Sequence, residues 1–196
     1  NGARCFGNFA AALLHHDKTA PLPFETMAGV VTATFEKDGN VTVNLTNPHS
    51  MQLFVLNADP TVGADVHFLN TGVPHAVAFL DKLEDLNISR LGAYLRYHEA
   101  FSPKGTNANF ARILSPGHIA IRTYERGVED ETLACGTGMT ACALLHAVLA
   151  DAPSPIQVDV AGGDTLKVGF QRTGDRFTDV TLTGPADLVF TGDIQI

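Results

Sequence analysis

Two stretches of helical length in this chain carry almost no polar side chain, and both lie among short strand-like runs. The first runs from Ala3 to His16 through Cys5, Phe6, Phe9, Ala10, Ala11, Ala12, Leu13 and Leu14, and Pro21 and Pro23 end it. The second runs from Gly138 to about Ala150 and is stopped by Pro153 and Pro155. A helix that is apolar all round must be buried all round. At these lengths the cover is protein, because the apolar run Thr140 to Ala150 is too short to span a bilayer.

The cover is expected to be β-sheet. Val30 to Phe35 and Val41 to Leu45 flank Lys37-Asp38-Gly39-Asn40, and Asp-Gly between apolar runs is a tight-turn signal for a hairpin. Further strands are expected at Gln52 to Leu56, Val66 to Leu69, Ala76 to Leu80, Phe110 to Leu114 and His118 to Glu125. Ile156 to Val160, Leu166 to Phe170, Val180 to Leu182 and Leu188 to Phe190 follow, separated by Gly-Gly and Thr-Gly turns. Ile88 to His98 has apolar residues at helical spacing and reads as an amphipathic helix. The expected fold class is α/β in the α+β sense, with two units that each wrap a sheet around a central apolar helix.

Composition narrows the function. With 45% hydrophobic and 17% charged residues, the chain has ample material for a core. A formal net charge of -8 and the lack of any basic stripe argue against a nucleic-acid partner. No membrane partner is expected. No leader segment is read before Asn1, and three cysteines do not make a disulfide framework, so the expected compartment is the cytoplasm.

The chemistry-bearing residues gather near the second helix. Cys135-Gly136-Thr137-Gly138 stands where that helix begins. A thiol there meets free backbone N–H groups and the positive end of the helix dipole, so a lowered pKa is expected. The glycines would let a carboxylate reach the same N–H groups. Strand alternation puts Ile119, Ile121, Thr123 and Glu125 on one face, so Glu125 is expected to point inward as a proton acceptor for Cys135. Thr71-Gly72-Val73-Pro74-His75 is a turn that presents a histidine, and Asn107 lies in a Gly- and Asn-rich loop. By itself, each of these has a structural explanation. The openings of the two helices also match, Asn1-Gly2-Ala3 against Thr137-Gly138-Met139, which suggests an internal duplication with Cys-Gly just upstream of Asn1.

Asn1-Gly2-Ala3-Arg4-Cys5-Phe6, Gly72-Val73-Pro74-His75, Thr106-Asn107-Ala108-Asn109-Phe110, Tyr124-Glu125-Arg126-Gly127, Glu131 through Gly138 and Thr183-Gly184-Pro185-Ala186 together resemble, in order, the signatures of the diaminopimelate epimerase family. The resemblance runs the length of the chain, and the block from Tyr124 to Gly138 carries most of its specificity. It implies two pseudo-symmetric domains with the active site in the cleft between them. These are residues 1–45 with 187–196 as the remainder of the first domain, and 46–186 as the second.

The implied activity interconverts LL- and meso-2,6-diaminopimelate, in lysine and peptidoglycan precursor synthesis, with no pyridoxal phosphate or other cofactor and no metal. A homodimer is implied as well. Residue by residue, the resemblance makes Cys135 one of two catalytic cysteines, Glu125 its helper base and His75 the assistant of the other cysteine. It makes Asn1, Asn107, Arg126, Gly136 and Thr137 substrate-binding. The other cysteine would stand two residues before Asn1, so little or no activity is expected of the chain from Asn1 onward. Cys5 is set aside as a buried structural thiol, and Val73 stands where many of the family have Asn. The rival readings are a proline racemase or phenazine-biosynthesis isomerase on the same architecture, a cysteine hydrolase with His75 as base, and a non-catalytic fragment or binding domain.

Overall fold

The computed structural model describes residues 2–27, 29–187 and 192. Asn1 and the strand expected at 188–190 lie outside the described residues. Three α-helices occur among them: α1 (Gly2–Leu13), α2 (Ile88–Tyr97) and α3 (Gly136–Leu149). The strands are β1 (Leu22–Thr26), β2 (Gly29–Phe35), β3 (Val41–Asn44), β4 (His49–Asp59), β5 (Ala64–Asn70) and β6 (Pro74–Phe79). They continue as β7 (Asn107–Ser115), β8 (His118–Glu125), β9 (Asp130–Thr132), β10 (Ile156–Val160), β11 (Thr165–Thr173) and β12 (Arg176–Gly184).

The architecture is mixed α+β. The strands follow one hydrogen-bonded path, β1-β2-β3-β12-β11-β10-β8-β7-β6-β5-β4, with β9 paired to β8. Most neighbours are antiparallel, and β6–β7 and β10–β8 are parallel. The expected hairpin is β2–β3, closed by Glu36 and Asn40 around Gly39, whose φ of +88° suits a residue without a side chain.

Strand alternation sorts the residues of β6, β7 and β8 onto two faces. Val77, Ala111, Ile119 and Ile121 face α3, while Ala76, Ala78, Ala108, Phe110 and Tyr124 face α2. The central strands are thus covered on both sides, which explains why they read as nearly unbroken apolar runs. On the α3 side the core takes in strands from β2 to β12, including Ala33, Val43, Val168 and Leu182. Helix α3 is buried throughout Gly138 to Ala147, as an all-apolar helix must be. The α2 side forms a second core around Leu91, Leu95 and Phe110. Asn87 caps α2 by accepting from the Arg90 N–H.

Helix α1 departs from the expectation. It packs on β1, β2 and β3 and buries only Arg4, Gly7 and Ala11. Phe6, Phe9 and Leu13 are 52%, 56% and 65% exposed. The cause is geometric: three short strands meet one side of the helix, and the described residues supply nothing for the other. Cys5 falls on that open side, so it is exposed and not the buried thiol expected. Pro21 and Pro23 do more than end the first apolar run: Leu22–Thr26 forms β1, with Pro23 paired to Thr32. An edge strand tolerates a residue that cannot donate to the ladder.

Helix α2 lies so close to β8 that a Cβ on Gly92 would collide with the Tyr124 ring. Gly92→Ala is expected to destabilise the fold by about 1–3 kcal/mol through overpacking. Urea denaturation checks this, and an unchanged midpoint would show that α2 can lift off without cost.

Candidate active site

Glu125 and Cys135 are ten residues apart in the chain, and a short hairpin brings them back together. Strand β9 returns along β8 with Glu125 opposite Asp130 and Thr123 opposite Thr132. The Arg122 guanidinium grips the Glu131 carboxylate with two bonds of 2.7 Å, which holds β9 in place. The Thr132 hydroxyl donates to Glu125 Oε1 at 2.5 Å and fixes that carboxylate. The chain then enters α3 through Cys135, whose extended backbone makes it the residue before the first turn.

Cys135 and Glu125 both line a cavity of about 290 Å³. Gly136 and Thr137 line it from the same helix start, and Ala3 and Arg4 line it from α1. The starts of the two apolar helices therefore face one cleft. Thr137 borders a second cavity as well, with Gly2, Ala3 and Val73, and Gly72 lines both that one and a third, which is also lined by Lys104 and Arg126. The Thr71 hydroxyl donates to the Thr137 carbonyl at 3.0 Å and ties the β5–β6 turn to α3.

The electrostatics of Cys135 differ from the expectation. The Thr137 hydroxyl, 3.5 Å from Sγ, and the Gly138 N–H do pull the thiol pKa down. Burial pushes it up more strongly, and the neighbouring Glu125 carboxylate adds to the rise. The net direction is upward because the residue is only 7% exposed. Cys135 rests as a thiol. Deeper in α3, burial also raises the Cys142 thiol.

His75 is fully buried on β6, and desolvation lowers its pKa from 6.5 to about 3, so the imidazole is neutral. Its Nδ1 is 3.1 Å from Asn109 Nδ2. Asn107 is committed to the backbone: its Nδ2 donates to the Pro74 carbonyl at 3.0 Å and its Oδ1 accepts from the Arg126 N–H at 2.8 Å. It sets where Arg126 stands. The Arg126 side chain donates to the Lys104 carbonyl at 3.2 Å and faces the third cavity.

Of the residues singled out in the sequence, Glu125, Cys135, Gly136 and Thr137 thus share one cavity, while Arg126 lines a different one. Among the described residues, no cluster of three or more His, Cys, Asp or Glu side chains could hold a metal ion. Nor is any helix long and apolar enough to cross a membrane.

Local sequence gives Asn109 no individual role. It is fully buried and bonds His75, the Ala76 carbonyl and the Thr123 hydroxyl. A Cβ on Gly138 would collide with its Oδ1, so α3 can begin here only with a glycine at that position. The same alternation that was applied to β8 would have found it, since Asn107, Asn109 and Ala111 share a face.

Comparison with known proteins shows the family. A family model described as diaminopimelate epimerase matches residues 67–189. A diaminopimelate epimerase of Aquifex aeolicus is 41% identical over 198 residues, covering all of this chain and 68% of that protein. One from Chlorobaculum tepidum is 38% identical, with coverage of 100% and 74%. The chain belongs to the diaminopimelate epimerase family. Its relatives are isomerases that act on amino acids.

Solved structures share the fold at lower identity. A Bacillus anthracis phenazine biosynthesis protein of the PhzF family superposes with a TM-score of 0.64 at 14% identity, covering 91% of this chain and 70% of that one. A hydroxyproline epimerase from Agrobacterium vitis gives a TM-score of 0.61 at 19%, covering 85% of this chain and 56% of that one. The chain therefore spans little more than half of the Agrobacterium protein and about two thirds of the Aquifex diaminopimelate epimerase.

Two measurements test the site. In the native state iodoacetamide should label exposed Cys5 first, Cys135 more slowly and Cys142 last, as read by peptide mass spectrometry. Labelling of Cys135 as fast as Cys5 would mean an open thiolate. The depressed His75 pKa stabilises the fold fully above its ordinary value of 6.5, and this contribution is lost as pH falls toward 3. Denaturant titrations at several pH values should show His75→Gln with a shallower loss of stability across that window. Parallel curves for parent and variant would place the acid sensitivity elsewhere.

Proposed function

We propose that the full-length protein interconverts LL- and meso-2,6-diaminopimelate by cofactor-independent proton transfer between two cysteines. The observation that carries this reading is the meeting of both helix starts at one cleft, with Cys135 and Glu125 beneath it. The first-turn N–H groups of α3 are unpaired within the helix and carry partial positive charge. They are suited to hold an α-carboxylate and to stabilise the charge that builds up on it when the α-proton leaves.

Inversion at Cα needs a base on one face and an acid on the other. Cys135 is the thiol on one face. The second cysteine stands just upstream of Asn1, at the start of α1. Its thiolate takes the α-proton, and the electron pair remains on Cα, delocalised into the carboxylate. Cys135 gives its own proton to the opposite face and is left as the thiolate. In the other direction Cys135 is the base, and Glu125 accepts its proton beforehand. Arg126, which lines a separate cavity, supplies the cation for the second carboxylate of an extended diamino diacid. Asn1, Gly136 and Thr137 complete the substrate contacts, and Asn107 serves the site through the placement of Arg126.

Several wider statements belong to the same reading. Residues 46–186 form the second domain, and 1–45 with 187–196 belong to the first; within 1–45, α1 packs on β1 to β3. The protein works as a cytoplasmic homodimer in lysine and peptidoglycan precursor synthesis.

In deuterated water the full-length protein should incorporate deuterium at Cα of diaminopimelate, followed by proton NMR. Cys135→Ala should lower turnover about 10³-fold, the scale of a lost general acid or base. Turnover by Cys135→Ala at the parental rate would rule out the two-cysteine scheme.

A further inference from the structure

The buried amide of Asn109 has one orientation that satisfies its neighbours. Its Nδ2 lies 3.0 Å from the Ala76 carbonyl oxygen, which can only accept. The nitrogen must therefore be on that side, and Oδ1 takes the Thr123 hydroxyl at 3.1 Å. The register enforces this arrangement: Asn109 stands opposite Thr123 on β8 and beside Val77 on β6. The second N–H of Nδ2 points at His75 Nδ1, 3.1 Å away. A proton on Nδ1 would set two donors against each other and leave both without an acceptor in a buried place. Nδ1 must accept, and a neutral imidazole then carries its proton on Nε2. That Nε2 is buried and has no protein partner among the described residues.

We infer that Asn109 is a positioning residue that holds His75 as the Nε2–H tautomer, so that the ring offers the site a hydrogen-bond donor and not a base. The inference rests on the proposed reading that His75 serves the active site, and it says how. The only lone pair of the neutral ring is already engaged by Asn109. His75 therefore cannot relay a proton through Nε2 unless the Asn109 contact is remade, which removes the base that a cysteine hydrolase would need. The unsatisfied Nε2–H is suited to an anionic acceptor, and in a thiol epimerase it would stabilise the charged partner of the proton transfer without taking the proton.

The test is nitrogen NMR of the full-length protein with isotope-labelled histidine, His75 being assigned by loss of its signals in His75→Gln. At neutral pH the parent should show a pyridine-type Nδ1 and a pyrrole-type, protonated Nε2. In Asn109→Asp the carboxylate can only accept, so a proton should appear on Nδ1. A parent spectrum with Nδ1 protonated would overturn the inference, as would an Asn109→Asp spectrum with Nδ1 still bare. If Asn109→Asp does not fold, the parent spectrum decides alone. Deuterium exchange into diaminopimelate on the same samples tests the proposed function separately, because the tautomer is read whether or not turnover occurs.

Discussion

The close approach of the α3 start to the β6–β7–β8 sheet governs the rest of this molecule. Gly138 has no side chain, so the first turn of the helix settles against the Asn109 amide. That contact puts Cys135 at the cavity and its first-turn N–H groups beside it. The Asn109 amide beneath it is buried together with His75 and bonded to it. A bulkier residue at 138 would force the helix outward and disturb the packing, the thiol and the imidazole together.

Burial and helix position act on Cys135 in opposite directions. Position at the helix start favours the thiolate, and so do the Thr137 hydroxyl and the Gly138 N–H. Enclosure beside Glu125 favours the neutral thiol and prevails. A rule based on helix termini alone gives the wrong sign here, because it assumes the sulfur stays in contact with solvent. A thiol that rests protonated is ready to act as an acid, and the carboxylate beside it is the group that could remove its proton.

Much of the architecture was legible in the sequence. The Asp-Gly turn marked the β2–β3 hairpin, and the apolar runs marked β8, β10 and α3 closely. Alternation along β8 put Glu125 on the same face as buried Ile119 and Ile121, where it is found beside Cys135. What escaped depends on contacts distant in sequence. Asn109 looks like a loop residue until the neighbouring strands are in register. Strand β1 contains Pro23, which marks a break when read locally and is harmless at a sheet edge. The second core under α2 follows only from knowing that the central strands are covered on both faces. For α1, composition indicated what kind of surface it carries but not whether the described chain covers it.

That uncovered side has a physical consequence of its own. Phe6, Phe9 and Leu13 present a greasy ridge to water along successive turns of one helix, and Leu14 extends it past the helix end. Ordered solvent around such a ridge is released whenever another apolar surface meets it, with a driving force that grows on warming from the cold and with sulfate or phosphate in the buffer. Solubility of this chain should therefore be greatest in the cold and at low concentrations of those salts, which also screen the mutual repulsion of a polypeptide of net charge -8.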